Sequence, residues 1–177
     1  MKTLEAFLFA LSIMESDGNY QAVNTLNYLG AYQFGEAALT DLGFVRYDGD
    51  ASNNDFSGGW TGKHGVRSAR DFLESPRAQD LAVREWVELM WHYIELQDLD
   101  TYAWSEVGGV TLTPSGMLAA VHLLGPDSLA QFVRSGGAND LRDPYGTPIS
   151  SYMIRLADYD IPFAPTTEAR VSSSSGS

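Results

Sequence analysis

Leu4, Leu8 and Leu11 recur at helical spacing with Phe7 beside them, and the pattern predicts a helix over residues 3–15. Thr3 stands where an N-cap belongs, and Glu5 falls in the first turn, where the helix dipole favours a negative charge. At about 100° per residue, Glu15 lies on the same face as the leucines. Phe9, Ala10, Ile13 and Met14 make the segment apolar nearly all round, which predicts a central, buried helix. Gly18 then stops it.

Residues 19–34 carry no sustained period and read as irregular. A short helix follows from about Glu36 to Leu42, stopped by Gly43. Residues 44–64 are a polar loop with room for a hairpin, and Ser68 to Leu73 suits a helical turn. Ser75-Pro76 is a strong helix start, Ser as N-cap and Pro at the first helical position. The helix it opens runs to about Leu96 on a stripe of Ala78, Ala82, Trp86, Met90 and Tyr93, and forms the backbone of the core. Thr113-Pro114 opens another, ending at Gly125. Asp127 or Ser128 opens a short one ending near Gly136, and Thr147-Pro148 a last one to about Asp158. The expectation is a mainly α domain over 1–163 with at most a small β-hairpin, and a disordered tail or linker over 164–177 ending in "SSSSGS".

Composition narrows the function classes. The chain has 177 residues, 44% of them hydrophobic, so it can bury a core. It has no cysteine, which excludes disulfides and thiolate chemistry. Its formal charge is −12 and its only lysines are Lys2 and Lys63, so nucleic acid and anionic lipid are disfavoured as partners. No apolar run reaches membrane-span length. Lys2 followed by "FLFALSIM" mimics a signal peptide, but Glu5 breaks the pattern and no small-x-small site follows.

Candidate chemistry gathers in residues 15–39. A carboxylate ends an apolar helix, a Gly/Asn turn follows, and Gly30, Tyr32, Gln33 and Phe34 precede the next helix. Glycoside cleavage needs a proton donor at the leaving oxygen, and desolvation by an apolar stripe would raise the pKa of Glu15 towards that role. Gln33 offers an amide that both donates and accepts, and Tyr20, Tyr32 and Trp60 offer flat faces to sugar rings.

The blocks Glu15-Ser16-Asp17-Gly18-Asn19-Tyr20 and Gly30-Ala31-Tyr32-Gln33 resemble those of the lysozyme-like superfamily, in particular goose-type lysozymes and lytic transglycosylases. A third block, "AAVHLLG" at 119–125, is similar to a family block with His122 where many members have Asn, and Tyr152 stands where a late family Tyr is expected. The resemblance implies a lysozyme-like fold whose central helix ends in the catalytic Glu15. It implies cleavage of the β-1,4 bond between N-acetylmuramic acid and N-acetylglucosamine. Ser16, Tyr32, Gln33, Trp60, His122 and Tyr152 would bind the glycan. Hydrolysis would need a second carboxylate, for which Asp48, Asp50 and Asp55 are candidates; lytic transglycosylation would not. The implied partner is peptidoglycan, outside the cytoplasm (periplasmic, secreted or phage-borne), met by a monomer. The alternatives are a non-catalytic glycan-binding or structural module of an envelope or phage assembly, and a chitin-active glycosidase.

Blander readings compete at most of these positions. Glu15 could be an ordinary helix-end acid, although a negative charge there opposes the dipole. Gln33 could bond to backbone in its turn, Tyr32 and Phe34 suit core packing, and Trp60 among glycines is a sugar platform or a plug. His122, mid-helix among apolar residues, suits a core histidine; His64 and His92 offer no zinc-ligand spacing with it. "DGDASNND" at 48–55 imitates a calcium loop, but the EF-hand pattern counted from Asp48 wants Gly and Glu where Asn53 and Gly59 stand. A loose calcium site stays open, but no metal and no cofactor are expected. Asp143 in "RDPYGT" suits a turn.

Overall fold

A computed structural model describes residues 2–167. It is mainly helical: α1 (Leu4–Ser16), α2 (Glu36–Asp41), α3 (Ala69–Leu73), α4 (Pro76–Leu96), α5 (Pro114–Leu124), α6 (Pro126–Arg134) and α7 (Ile149–Arg155). Short 3-10 turns occupy Lys63–Gly65 and Asp100–Tyr102. Among the described residues no helix is long and apolar enough to cross a membrane. Residues 168–177, most of the expected tail, lie outside the described residues.

The chain divides into two compact units, with the divisions falling inside α1 and α4. Leu8–Trp86 forms one unit; the described residues up to Phe7, together with those from Val87 onward, form the other. In the second unit the N-terminal segment pairs with the far end of the chain: Lys2 bridges Tyr159 in parallel, and Phe7 meets the Tyr159 ring edge-on at 5.7 Å.

The helix starts follow from local chemistry. Thr3 Oγ1 accepts from Ala6 N–H at 3.3 Å, Ser68 Oγ from Asp71 N–H at 3.0 Å, Ser75 Oγ from Ala78 N–H at 3.2 Å and Thr113 Oγ1 from Gly116 N–H at 3.1 Å. Each bond satisfies a donor the helix itself leaves orphaned. α4 is the longest element and buries Ala78, Ala82, Val83, Val87, Met90, Trp91 and Ile94.

Four expectations need correction. First, α1 is one-sided and not buried all round: Phe7, Leu8 and Leu11 are buried, but Phe9 is 66% exposed and Ile13 42%. Apolar residues on every face hid which face was inner. Second, the 44–64 loop has no hairpin ladder, only a bridge between Val45 and Trp60. The two-stranded antiparallel sheet lies at β1 (Glu106–Val107) and β2 (Val110–Thr111). Gly108 and Gly109 join the strands, both at positive φ (58° and 78°), the backbone of a type I′ turn. Third, α6 begins at Pro126, with Ser128 Oγ donating to Gly125 O at 2.7 Å from inside the helix. Fourth, α7 stops at Arg155, short of Asp158, because the chain must extend for Tyr159 to bridge Lys2. Thr147 does not cap it; Asp140 Oδ1 accepts from Ser150 N–H at 3.1 Å instead. Asp143 holds a turn as expected, accepting from Tyr145 N–H and Thr147 N–H at 3.0 and 2.7 Å.

Candidate active site

The site is built where α1 ends. Asp17 and Gly18 both take left-handed backbone (φ 55° and 72°), which breaks the helix directly after Glu15 and Ser16. Glu15 is half-buried. Ser16, next to it, donates from Oγ to Ala31 O at 2.8 Å and accepts from Asn19 N–H at 3.0 Å. One hydroxyl thus ties the helix end to the second sequence block.

That second block is a closed loop. Leu29 and Phe34 exchange two backbone hydrogen bonds of 2.9 Å, enclosing Gly30-Ala31-Tyr32-Gln33. Gly30 and Gln33 both have positive φ (78° and 49°). The Gln33 amide donates from Nε2 to Gly30 O at 2.9 Å, so its NH₂ holds the turn.

Gln79, fully buried in the first turns of α4, clamps both blocks. Its Oε1 accepts from Ala31 N–H at 2.9 Å, and its Nε2 donates to Tyr20 O at 2.9 Å and Phe72 O at 2.8 Å. A Cβ on Gly30 would lie 2.1 Å from Gln79 Oε1, so glycine is required there by space as well as by φ. Its neighbour Asp80 accepts on Oδ1 from the hydroxyls of Tyr20 (2.8 Å) and Tyr32 (3.0 Å). Burial first, and Asp80 with it, pushes both phenol pKa values up.

Tyr32 is 5% exposed and packs against Tyr20 and Phe34. Aromatic contacts continue from Phe34 to Phe72 (6.1 Å), Trp60 (5.8 Å from Phe72) and Phe56 (5.7 Å from Trp60). Tyr32 is therefore a packing residue, and Trp60, half-buried, pins the 44–64 loop while keeping part of its surface open. Lys63 and His64 bond Glu85; burial pushes the Glu85 carboxyl up, but these partners outweigh it and hold it below the usual range.

Glu15, Ser16, Tyr32, Gln33 and Trp60 all belong to the Leu8–Trp86 unit, where Ser16 and Gln79 tie together, through Tyr20 and Ala31, the two segments that carry the first four. His122 and Tyr152 belong to the other unit. His122 is half-buried near the end of α5, and Tyr152 is 7% exposed in α7. Those two helices approach closely: a Cβ on Gly116 would lie 2.8 Å from Met153 O.

The three candidate second carboxylates are all exposed and all tied into their own loop. Asp48 accepts from Ser57 Oγ and from Asp50 N–H (2.9 Å), and these bonds hold its carboxyl below the usual range. Asp50 accepts from Ser52 and is lowered likewise. Asp55 accepts from Ser57 N–H at 2.7 Å and Asn53 Nδ2 at 3.2 Å.

Sequence reasoning missed Gln79, Asp80, Glu36 and Asn54. A Gln-Asp pair beside Ala78 on the buried side of α4 was the one readable signal for the first two. Glu36 was disguised as an acid in a helix first turn. Comparisons with protein-family models, curated proteins and solved structures return no match for this chain.

Proposed function

We propose that this protein is a glycosidase that cuts the β-1,4 bond between N-acetylmuramic acid and N-acetylglucosamine in peptidoglycan, with Glu15 as the general acid. The observation that carries the reading is the Ser16 Oγ to Ala31 O bond, which joins the helix-end carboxylate block to the Gly30–Gln33 turn. The two motifs behind the resemblance are neighbours in space, and both are clamped by one buried amide. An acid carried on a helix end that is itself fixed is what proton transfer to a leaving oxygen requires, and the Ser16 and Gln79 bonds fix that end.

In this reaction Glu15 gives its proton to the leaving 4-oxygen as the C1–O4 bond breaks. One route needs no second carboxylate, since a single acid can act first as acid and then as base. There the muramic 6-hydroxyl closes on C1 and returns its proton to Glu15, leaving a 1,6-anhydro end. Gln33 Oε1 remains as an acceptor for an N-acetyl or hydroxyl donor, while one Nε2 hydrogen holds the turn.

A zymogram on purified peptidoglycan with wild type and Glu15→Gln tests the acid. Activity should fall by about 10²–10⁴ in the variant. Clearing that survives the substitution removes Glu15 from the role, and no clearing by wild type favours a binding module. Activity on chitooligosaccharides alone points to a chitin-active enzyme. Mass spectrometry separates anhydro ends, one water lighter, from the reducing ends of hydrolysis.

A further inference from the structure

The 48–57 loop folds over the start of α2, and Glu36 is the residue it covers. Glu36 is 0% exposed. Its N–H donates to Asn54 Oδ1 at 2.8 Å, and its Oε2 accepts from Phe56 N–H at 2.9 Å. Its other oxygen, Oε1, is buried with no hydrogen-bond partner. A buried carboxylate oxygen with no donor and no cation is costly, and such groups are normally satisfied by a donor, a counter-charge or a metal.

The surroundings supply more oxygen. One carboxylate oxygen from each of Glu36, Asp48 and Asp55 can be chosen so that all three lie within 4.8 Å of one another. Oxygens bound to one calcium ion at 2.3–2.6 Å fall within about 5 Å of each other, so the spacing suits a shared cation. Among the described residues no Lys, Arg or His pairs with any of the three. Like charges this close repel unless something positive sits among them. The loop hydrogen bonds of Asp48 and Asp55 aim these carboxylates without using all their lone pairs. Asn54 and Phe56, on either side of Asp55, hold left-handed backbone (φ 54° and 56°), a conformation that non-glycine residues adopt at a cost.

We propose that Glu36, Asp48 and Asp55 form a calcium-type cation site that fastens the 48–57 loop to the start of α2. The donor set is all oxygen, with no imidazole or thiolate, which selects a hard cation over zinc or copper. A loop-borne set of carboxylates with irregular spacing suits the adaptable shell of Ca²⁺ better than the strict octahedron of Mg²⁺. The site differs from an EF-hand in recruiting a buried acid from outside its loop, so a linear motif search passes over it. It stands independently of the glycosidase reading.

The test uses the full chain stripped with EDTA and titrated with Ca²⁺ by calorimetry, with thermal melts alongside. One saturable site is expected, with Tm raised by about 5–10 °C at a Ca²⁺ concentration about 100 times Kd. Tb³⁺ bound in place of Ca²⁺ should luminesce on tryptophan excitation, because Trp60 lies tilted against Phe56, 5.7 Å between ring centres, at the loop's end. Asp48→Asn and Asp55→Asn change exposed side chains and should each weaken binding at least tenfold; Glu36→Gln should do the same without losing the acceptor for Phe56 N–H. The proposal is overturned if the wild type shows no saturable binding up to about 10 mM Ca²⁺. It is equally overturned if the Asp48→Asn/Asp55→Asn double variant binds as wild type does, or if Mg²⁺ binds as tightly as Ca²⁺.

Discussion

Replacing Gln79 by Ala should strongly destabilise the Leu8–Trp86 unit. The amide serves three backbone groups in the native state: Ala31 N–H, Tyr20 C=O and Phe72 C=O. The bonds to Ala31 and Phe72 are buried, and each group left without a partner costs about 1–3 kcal/mol. Tyr20 C=O is only partly buried and recovers water. With the void added, the loss is about 4 kcal/mol, which for a chain of this size lowers Tm by about 8–16 °C. Urea unfolding followed by tryptophan fluorescence measures the loss directly. Gln79→Glu sharpens the test: it keeps the acceptor for Ala31 N–H but sets an oxygen against two carbonyls. It should be comparably unstable near pH 7 and recover in acid, where protonation restores one donor. A loss under about 1 kcal/mol for Gln79→Ala would refute the clamp, because no reading of three served groups is compatible with it.

Ser16→Ala removes the bond to Ala31 O and should cost about 1 kcal/mol of stability, while glycan cleavage falls by more than that loss explains; kcat and urea midpoints on one preparation separate the two. Tyr32 holds its phenol proton more tightly folded than its ordinary value of 10.0, first through burial and then through Asp80. The unfolded chain therefore ionises first, so this contribution is complete below pH 10 and is lost as pH rises beyond it. Urea midpoints followed upward through pH 10 should fall more steeply in wild type than in Tyr32→Phe, with Tyr20 retaining part of the slope. In the β1–β2 turn, a Cβ on Gly108 would meet Gly137 Cα at 2.8 Å, whereas nothing lies within 4 Å of one on Gly109. Gly108→Ala should lower Tm by several degrees and Gly109→Asn should leave it nearly unchanged, since Asn tolerates left-handed backbone.

What could be read from the chain was local. Ser68, Ser75 and Thr113 announce their helices because a cap oxygen and the backbone N–H that donates to it lie three residues apart. The one-sidedness of α1 was not readable, since Phe9 and Ile13 are as apolar as Leu8 and Leu11. "VGGV" at 107–110 obeys the two-residue hairpin rule, but two-residue strands give no alternation to see. For the candidate site, both blocks were visible as motifs and their junction was not. Ser16 reaches Ala31, 15 residues on, and Gln79 reaches back 48 to Ala31 and 59 to Tyr20. Asp48 and Asp55 stood out as acids in a polar loop, yet nothing in their spacing pointed to Glu36.

These long reaches share a cause. Residues 19–34 and 44–64 contain little regular structure, so their backbone donors and acceptors cannot satisfy one another in ladders. Short backbone pairs such as Leu29–Phe34 satisfy some of them, and side chains serve others. Asn24 Oδ1 accepts from Leu26 N–H and Tyr28 N–H at 2.9 and 3.0 Å; Asn54 accepts from Glu36 N–H and donates to Leu26 O at 2.9 Å; Gln79 serves three partners. A loop fixed this way is as rigid as its polar staples are buried, because water cannot replace a staple it cannot reach. That accounts for how a proposed catalytic carboxylate can be held in place beside irregular chain. The same accounting leaves two buried side-chain oxygens in α2 without a donor among the described residues, Glu36 Oε1 and Thr40 Oγ1; of these Glu36 alone shares its place with further carboxylates, and there the proposed cation would complete the set.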